Sequence, residues 1–142
     1  IVSQVSNLTK KLSQVYKRKI NVHTNENVLI GKINKESFNQ LITIFLDNAY
    51  KYSQSEIDLF LISKNKYIEI KIKDYGPGIP EEDIDKIFTR FYRIDKARSR
   101  QSGGSGLGLS IAKELASKNQ IDIQVNSKLG IGSEFILKVR KV

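Results

Sequence analysis

Leu46-Asp47-Asn48-Ala49-Tyr50-Lys51-Tyr52 closes an amphipathic run, and two glycine-rich segments follow it: Asp74-Tyr75-Gly76-Pro77-Gly78-Ile79-Pro80 and Gly103-Gly104-Ser105-Gly106-Leu107-Gly108-Leu109. The run opens after Asn34, a side chain suited to cap a helix, and its apolar stripe is Phe38, Leu41, Ile42, Phe45, Leu46 and Ala49. That spacing predicts a helix ending near Tyr52. One glycine cluster says little, because glycine serves wherever a backbone needs positive φ. A polar helix end followed by two such clusters is far more restrictive.

Upstream, Val2, Val5, Leu8, Leu12, Val15 and Tyr16 recur at helical spacing within residues 1–19. Ile20-Asn21-Val22-His23-Thr24 alternates as a strand, and Val28-Leu29-Ile30 reads as a second short strand after the polar turn Asn25-Glu26-Asn27. Downstream, 57–62 and 67–73 are strand-like, joined by Ser63-Lys64-Asn65-Lys66. The second puts Ile68, Ile70 and Ile72 on one face and Glu69, Lys71 and Lys73 on the other. Residues 81–88 read as a short helix with Pro80 near its start. The stretch 92–105 is polar, charged and aperiodic, and reads as a mobile loop.

Residues 107–118 read as a helix whose N-terminus sits on the glycines. The segments 121–125 and 134–139 flank Ser127-Lys128-Leu129-Gly130-Ile131-Gly132 as a hairpin. This order predicts an α/β (α+β) two-layer sandwich, a mixed and mostly antiparallel sheet covered on one face by helices.

The composition suits one globular domain spanning residues 1–142. No apolar run approaches the length needed to span a bilayer, and the N-terminus lacks a signal-peptide pattern. The absence of cysteine excludes disulfides and thiolate metal sites. The chain has no methionine and opens at Ile1, so a piece of a longer protein is expected. The net charge of +9 raises a nucleic-acid footprint. Its basic residues are dispersed, from Lys10, Lys11, Lys17, Arg18 and Lys19 to Lys64, Lys66, Lys71 and Lys73 and on to 138–141, without one basic helix face bearing aromatics. A lysine-rich solvated surface, with no nucleic-acid partner, is the better reading.

The segments carry definable chemistry. The Asn48 carboxamide oxygen can join the shell of Mg²⁺, an ion that prefers oxygen ligands and keeps waters while bound to phosphates. Lys51 projects from nearly the same helix face and can neutralise a phosphate. Tyr52 offers a ring for a base to pack against. Without the other segments, the same residues would describe an ordinary solvated helix face.

Asp74 follows a strand, and its carboxylate can accept a hydrogen bond from adenine's exocyclic amine, where guanine has a carbonyl. Gly76 and Gly78 let the backbone approach the base; an ordinary Asp-initiated turn is the plainer alternative. The 103–108 segment ends on a helix, whose backbone N–H groups can cradle phosphates. It fits neither the P-loop nor the dinucleotide fingerprint. Phe88, Phe91 and Tyr92 suit core packing or an anchor for the following loop, in which Arg90, Arg93 and their basic neighbours would place positive charge beside phosphates. The set reads as an ATP site.

These residues resemble the ATP-binding catalytic domain of bacterial sensor histidine kinases, within the wider ATPase group of type II topoisomerases, mismatch-repair ATPases and heat-shock chaperones. Leu46-Asp47-Asn48-Ala49-x-Lys51-Tyr52 is similar to the family's asparagine box and Asp74-x-Gly76-x-Gly78-Ile79 to its first glycine box. Phe88-x-Arg90-Phe91-Tyr92-Arg93 is similar to its phenylalanine box, and Gly103-Gly104-x-Gly106-Leu107-Gly108-Leu109 to its second glycine box.

The resemblance implies Mg²⁺-ATP held between the helices and the sheet beneath a flexible lid at about 92–105. Asn48 would bind the metal, Lys51 a phosphate and Asp74 adenine, with Tyr52 and Ile79 near the base. Phe88 would belong to the ATP site. Gly104, Gly106, Leu107 and Gly108 would supply phosphate-facing backbone. It also implies transfer of the γ-phosphoryl group to a histidine on the parent's own upstream dimerisation domain, and onward to a response regulator. The parent would be a membrane-anchored sensor with this domain in the cytoplasm, and the isolated piece a monomer.

Two departures stand out. Ile44 occupies a place where the family often has a polar residue, commonly Asn. The only histidine, His23, lies in a predicted strand without the phosphoacceptor motif and reads as a strand-edge or surface residue. Alternatives on the same fold are an anti-sigma-factor-type serine kinase and a non-kinase ATP-binding clamp. The clamp relatives usually carry a glutamate base where Ile44 stands.

Overall fold

A computed structural model describes residues 2–25, 31, 33–89 and 108–141. The elements are α1 (Val2–Tyr16), β1 (Ile20–Thr24), α2 (Lys35–Tyr52), β2 (Ile57–Ser63), β3 (Tyr67–Asp74), α3 (Glu81–Ile84), α4 (Gly108–Lys118), β4 (Asp122–Lys128) and β5 (Gly132–Arg140). The five strands form one sheet in the order β1-β2-β3-β5-β4. β1 and β2 are parallel, joined by the α2 crossover, and every other pair is antiparallel. The expected mixed, mostly antiparallel sheet with helices on one face is what forms.

Helix α2 organises the domain. Asn34 accepts a 2.7 Å hydrogen bond from the Ser37 N–H, which satisfies one of the free donors of the first turn. All six residues of the expected stripe, Phe38, Leu41, Ile42, Phe45, Leu46 and Ala49, are buried. They pack on the sheet face made by Ile57, Leu59, Leu61, Ile68, Ile70, Ile72, Phe135, Leu137 and Val139. The Phe45 and Phe135 rings lie 5.1 Å apart at the centre of that contact. The registers Leu59↔Ile72 and Ile72↔Phe135 carry one apolar row across three strands. The opposite face, with His23, Asp58, Glu69, Lys71 and Lys73, has no helix over it among the described residues.

Helices α1 and α4 both end in left-handed residues that are not glycine. Lys17 has φ 53° and Gln120 φ 54°. Arg18 N donates to Ser13 O at 3.2 Å, and Ile121 N to Ala116 O at 2.8 Å. With Lys17 N to Gln14 O and Gln120 N to Ser117 O, these are paired Schellman closures that satisfy the last carbonyls.

The structure departs from the sequence expectation in three places. Val15 is 67% exposed rather than part of the α1 stripe. Thr9 is buried in that helix, with its hydroxyl donating to Ser6 O at 3.1 Å, so a polar side chain enters the interior satisfied. Helix α3 spans only Glu81–Ile84. Beyond it, Lys86 N donates to Asp83 O and Thr89 N to Lys86 O, and these tighter turns carry the partly exposed Phe88 and the buried Ile87 against the core. The expected strand at 28–30 and the expected loop at 92–105 lie outside the described residues. Gly31 forms an isolated antiparallel bridge with Lys141.

Candidate functional site

The C-terminal half of α2 contributes Asn48, Lys51 and Tyr52, each partly exposed. Lys51 Nζ lies 3.0 Å from Asp47 Oδ2 on the same helix. Asp47 Oδ1 accepts from the Tyr16 hydroxyl at 3.1 Å, which ties the end of α1 to this stretch. Burial, then the neighbouring Asp47 carboxylate, holds the Tyr16 phenol well above its ordinary value. Tyr50 stacks on Tyr16 at 4.2 Å, and the Arg18 guanidinium lies 4.7 Å from the Tyr50 ring centroid. Arg18 Nη1 also donates to Tyr50 O and to Ser53 Oγ, at 3.1 and 3.2 Å. The helix end carrying Asn48 and Lys51 is therefore clamped by two side chains from the end of α1. No local pattern in the sequence announces them.

The turn after β3 is pressed against that helix end. A Cβ on Gly76 would lie 2.1 Å from Tyr52 O, so only glycine permits this approach. Gly78 has φ 81°, and a Cβ there would meet Lys128 O at 2.4 Å. From the other side, the β4–β5 hairpin holds the turn. Ile79 N donates to Ser127 Oγ at 2.6 Å, and Gly130 N to Pro77 O at 2.9 Å. Gly132, at φ 144°, brings its backbone so close that a Cβ would meet Asp74 O at 2.1 Å.

Asp74 is only 4% exposed. Its Oδ1 accepts from Gly76 N at 3.0 Å. Burial raises its pKa above the ordinary carboxylate value, against the opposing effect of the Gly76 and Ser133 backbone N–H groups. Ile79 joins the hydrophobic core. One turn earlier on α2, Gly108 opens α4 beside Ile44, whose Cγ2 would be 3.7 Å from a Cβ on that glycine. Ile44 thus fills the seat between α2 and the start of α4, one turn before Asn48.

The structure sets the segment Asp74, Gly76, Gly78 and Ile79 against the end of α2 through the approach of Gly76 to Tyr52, and Asn48 and Lys51 lie on that same stretch of the helix. Phe88 packs edge-on against Phe135 at 6.4 Å between centroids, with Lys113 Nζ 5.9 Å from its ring. Arg90, Arg93, Gly104, Gly106 and Leu107 lie outside the described residues. His23 is an edge-strand residue bound to Asp58, as expected of a surface histidine. The sequence reading missed the hairpin residues Ser127, Gly132 and Ser133. The pairing of glycine and serine in Gly132-Ser133, placed to pair with the end of β3, was the available signal.

Among the described residues, no three His, Cys, Asp or Glu side chains converge on one point. A carboxamide, a lysine and a buried carboxylate beside two glycine-dependent close approaches can instead hold a polar, flat ligand bearing anionic groups.

Residues 33–142 match the family described as histidine kinase-, DNA gyrase B-, and HSP90-like ATPase, and the chain belongs to it. The sensor histidine kinase YkoH of Bacillus subtilis is 46% identical over 122 residues, covering 86% of this chain and 27% of YkoH. The signal transduction histidine-protein kinase ArlS of Staphylococcus epidermidis is 50% identical over 100 residues, covering 69% of this chain and 22% of ArlS. The chain thus spans about a quarter of the length of the curated relatives it matches.

Among solved structures, the mycobacterial sensor histidine kinase MprB superposes with a TM-score of 0.79 at 23% identity, covering 99% of this chain and 95% of that one. Full-length ShkA in complex with AMPPNP gives 0.82 at 19% identity, covering 99% of this chain and 30% of ShkA. These likenesses carry the fold. The family match makes this a histidine kinase-, gyrase- and HSP90-like ATPase domain, and the curated relatives it resembles are sensor histidine kinases.

Proposed function

We propose that the domain binds Mg²⁺-ATP at the end of α2 and donates the γ-phosphoryl group to a histidine on a separate dimerisation domain of its parent chain. The observation carrying this reading is Asp74, a buried carboxylate whose Oδ1 already receives Gly76 N. Adenine's exocyclic amine supplies a further donor to that side chain, and guanine's carbonyl would face it without one. Tyr52 and Ile79 border the base. Lys51 exchanges Asp47 for a phosphate, and Gly108 with the glycines before it caps the phosphates at the start of α4.

The oxygen donor of Asn48 suits Mg²⁺, which here takes its remaining ligands from phosphate and water. Asn48 would hold the ion, and the chemistry it would supply there is neutralisation of the charge that develops during transfer. Arg90 and Arg93 are the candidates for further charge stabilisation. Ile44 offers no base to activate water, which favours transfer to a partner over hydrolysis and over the clamp alternative. His23 sits in β1, bonded to Asp58, and is no acceptor, so the receiving histidine belongs to another domain. From there the phosphoryl group passes to a response regulator. We further propose a monomeric domain on the cytoplasmic side of a membrane-anchored parent; no described helix is long and apolar enough to cross a membrane.

Calorimetric titration with AMPPNP and Mg²⁺, beside the GTP analogue, tests the site. Saturable adenine-selective binding that weakens in Asn48→Ala and Asp74→Ala supports it. Equal affinity for both nucleotides would remove Asp74 from base recognition, and no binding at millimolar nucleotide would overturn the reading.

A further inference from the structure

We propose that Tyr75 is a positioning residue for the nucleotide site, anchored through its hydroxyl to Asp58 on the open face of the sheet. The inference rests on the nucleotide reading above and adds a second set of residues to it. Tyr75 lies between Asp74, the candidate adenine reader, and Gly76, whose N–H binds the Asp74 carboxylate. Tyr75 is 43% exposed, yet its hydroxyl donates to Asp58 Oδ2 at 2.5 Å. Asp58 is opposite Lys73 in the β2–β3 register, so the tyrosine reaches sideways from the end of β3 onto β2. Lys73 Nζ lies 5.3 Å from the ring centroid and covers it from its own strand.

Asp58 is itself held. Its Oδ1 receives Asn21 Nδ2 at 3.0 Å and faces His23 Nε2 at 3.1 Å, both from β1. His23 stacks on Phe60 at 4.6 Å, which fixes the imidazole plane. Burial opposes ionisation of Asp58, but the bonds from Tyr75, His23 and Asn21 outweigh it and keep the carboxyl below its ordinary value. The same bond pushes the Tyr75 phenol up to about 12. A charged acceptor with three ordered donors is a fixed post rather than a chance surface contact.

The turn bearing Asp74 therefore has two attachments of different kind. Inside, Gly76 abuts Tyr52 and Ile79 N bonds Ser127. Outside, Tyr75 pins the same turn to a polar cluster that contributes no core packing. Removing the outer attachment leaves the hydrophobic core intact and frees the turn to move relative to the base. Its loss should thus appear in adenine affinity and selectivity, while global stability changes little.

The test is AMPPNP and GTP-analogue titration of the wild type, Tyr75→Phe, Asp58→Asn and the double variant, with thermal melting of each. Tyr75→Phe deletes one surface hydroxyl and keeps the ring. Expected is a roughly tenfold loss of AMPPNP affinity, the scale of re-immobilising a freed side chain and its turn on binding, with reduced preference over the GTP analogue. Asp58→Asn should lose as much, and the double variant no more, as expected of one shared interaction.

His23, the only histidine in the chain, adds a spectroscopic readout. Its ring NMR signals should shift on AMPPNP binding in the wild type and stay still in Tyr75→Phe. Wild-type binding with unchanged affinity and selectivity in Tyr75→Phe would overturn the proposal while leaving the nucleotide site standing. An affinity loss in strict proportion to lowered melting temperature would also overturn it. No AMPPNP binding by the wild type would overturn the nucleotide reading and this proposal with it.

Discussion

Replacing Gly76 by alanine should separate packing at the helix end from every other role of the glycine segments. The new Cβ would lie 2.1 Å from Tyr52 O and 3.2 Å from Asp74 Oδ1. Real Cβ contacts stay above 3.0 Å, so the turn and the end of α2 must part by roughly 0.9 Å. The closer obstacle is backbone at the last residue of α2, which cannot rotate aside. Overpacking of this kind costs about 1–3 kcal/mol.

The displacement also moves Asp74, because Gly76 N and Asp74 Oδ1 share a 3.0 Å hydrogen bond. A shift of that size is enough to break a hydrogen bond from adenine to the Asp74 carboxylate, so a loss of AMPPNP affinity of about tenfold or more is expected. Gly130→Ala is the control. Gly130 has φ 79° with nothing within 4 Å of a new Cβ, so the variant carries a backbone penalty of about 1–2 kcal/mol and no collision. Urea unfolding and AMPPNP titration of both variants give the comparison. Comparable stability losses with affinity lost only in Gly76→Ala are expected. Affinity within twofold of wild type in Gly76→Ala, or an equal loss in Gly130→Ala, would refute the reasoning.

Asn34→Ala removes the cap of the helix that carries the site and should lower stability by about 1 kcal/mol in urea unfolding. Gln120→Gly should raise it by about 1 kcal/mol, since glycine accepts the left-handed φ of 54° that glutamine holds at the end of α4; no gain would mean that the closure tolerates the side chain freely. Asp74→Asn addresses pH. Burial raises the Asp74 pKa in the fold, so its contribution to stability is complete below the unfolded carboxyl value and is lost as pH rises through the raised one. The asparagine variant should lack that decline, melt higher than wild type at neutral pH and bind AMPPNP poorly; a melting-temperature difference between variant and wild type that does not grow as pH rises would contradict the assignment.

How much could be read from the chain follows from the range of the forces involved. The α2 stripe and the Ile68, Ile70, Ile72 alternation are local periodicities, and each survives because its element has one wet side and one dry side. Asn34 was legible for a similar reason: a cap acts within one turn. The order of glycine segments marked the site because backbone approach of the Gly76 kind leaves no substitute for glycine.

What escaped notice acts across the sheet. Ser127 holds Ile79 from 48 residues away, and Asp58 holds Tyr75 from the neighbouring strand. In sequence, Asp58 is only the polar member of an alternating strand, and Ser127 only a turn residue. Ser127 has its role because β5 pairs with both β3 and β4, which brings the hairpin to the turn after Asp74, and Asp58 has its role because β2 pairs with β3. Val15 and Thr9 teach the converse point on α1. Periodicity nominates an apolar position for burial, but a satisfied hydroxyl can take an interior place while a valine near the end of the same helix stays wet. The site is thus legible where its chemistry is carried by residue type, and hidden where a common residue acquires its function from the strand beside it.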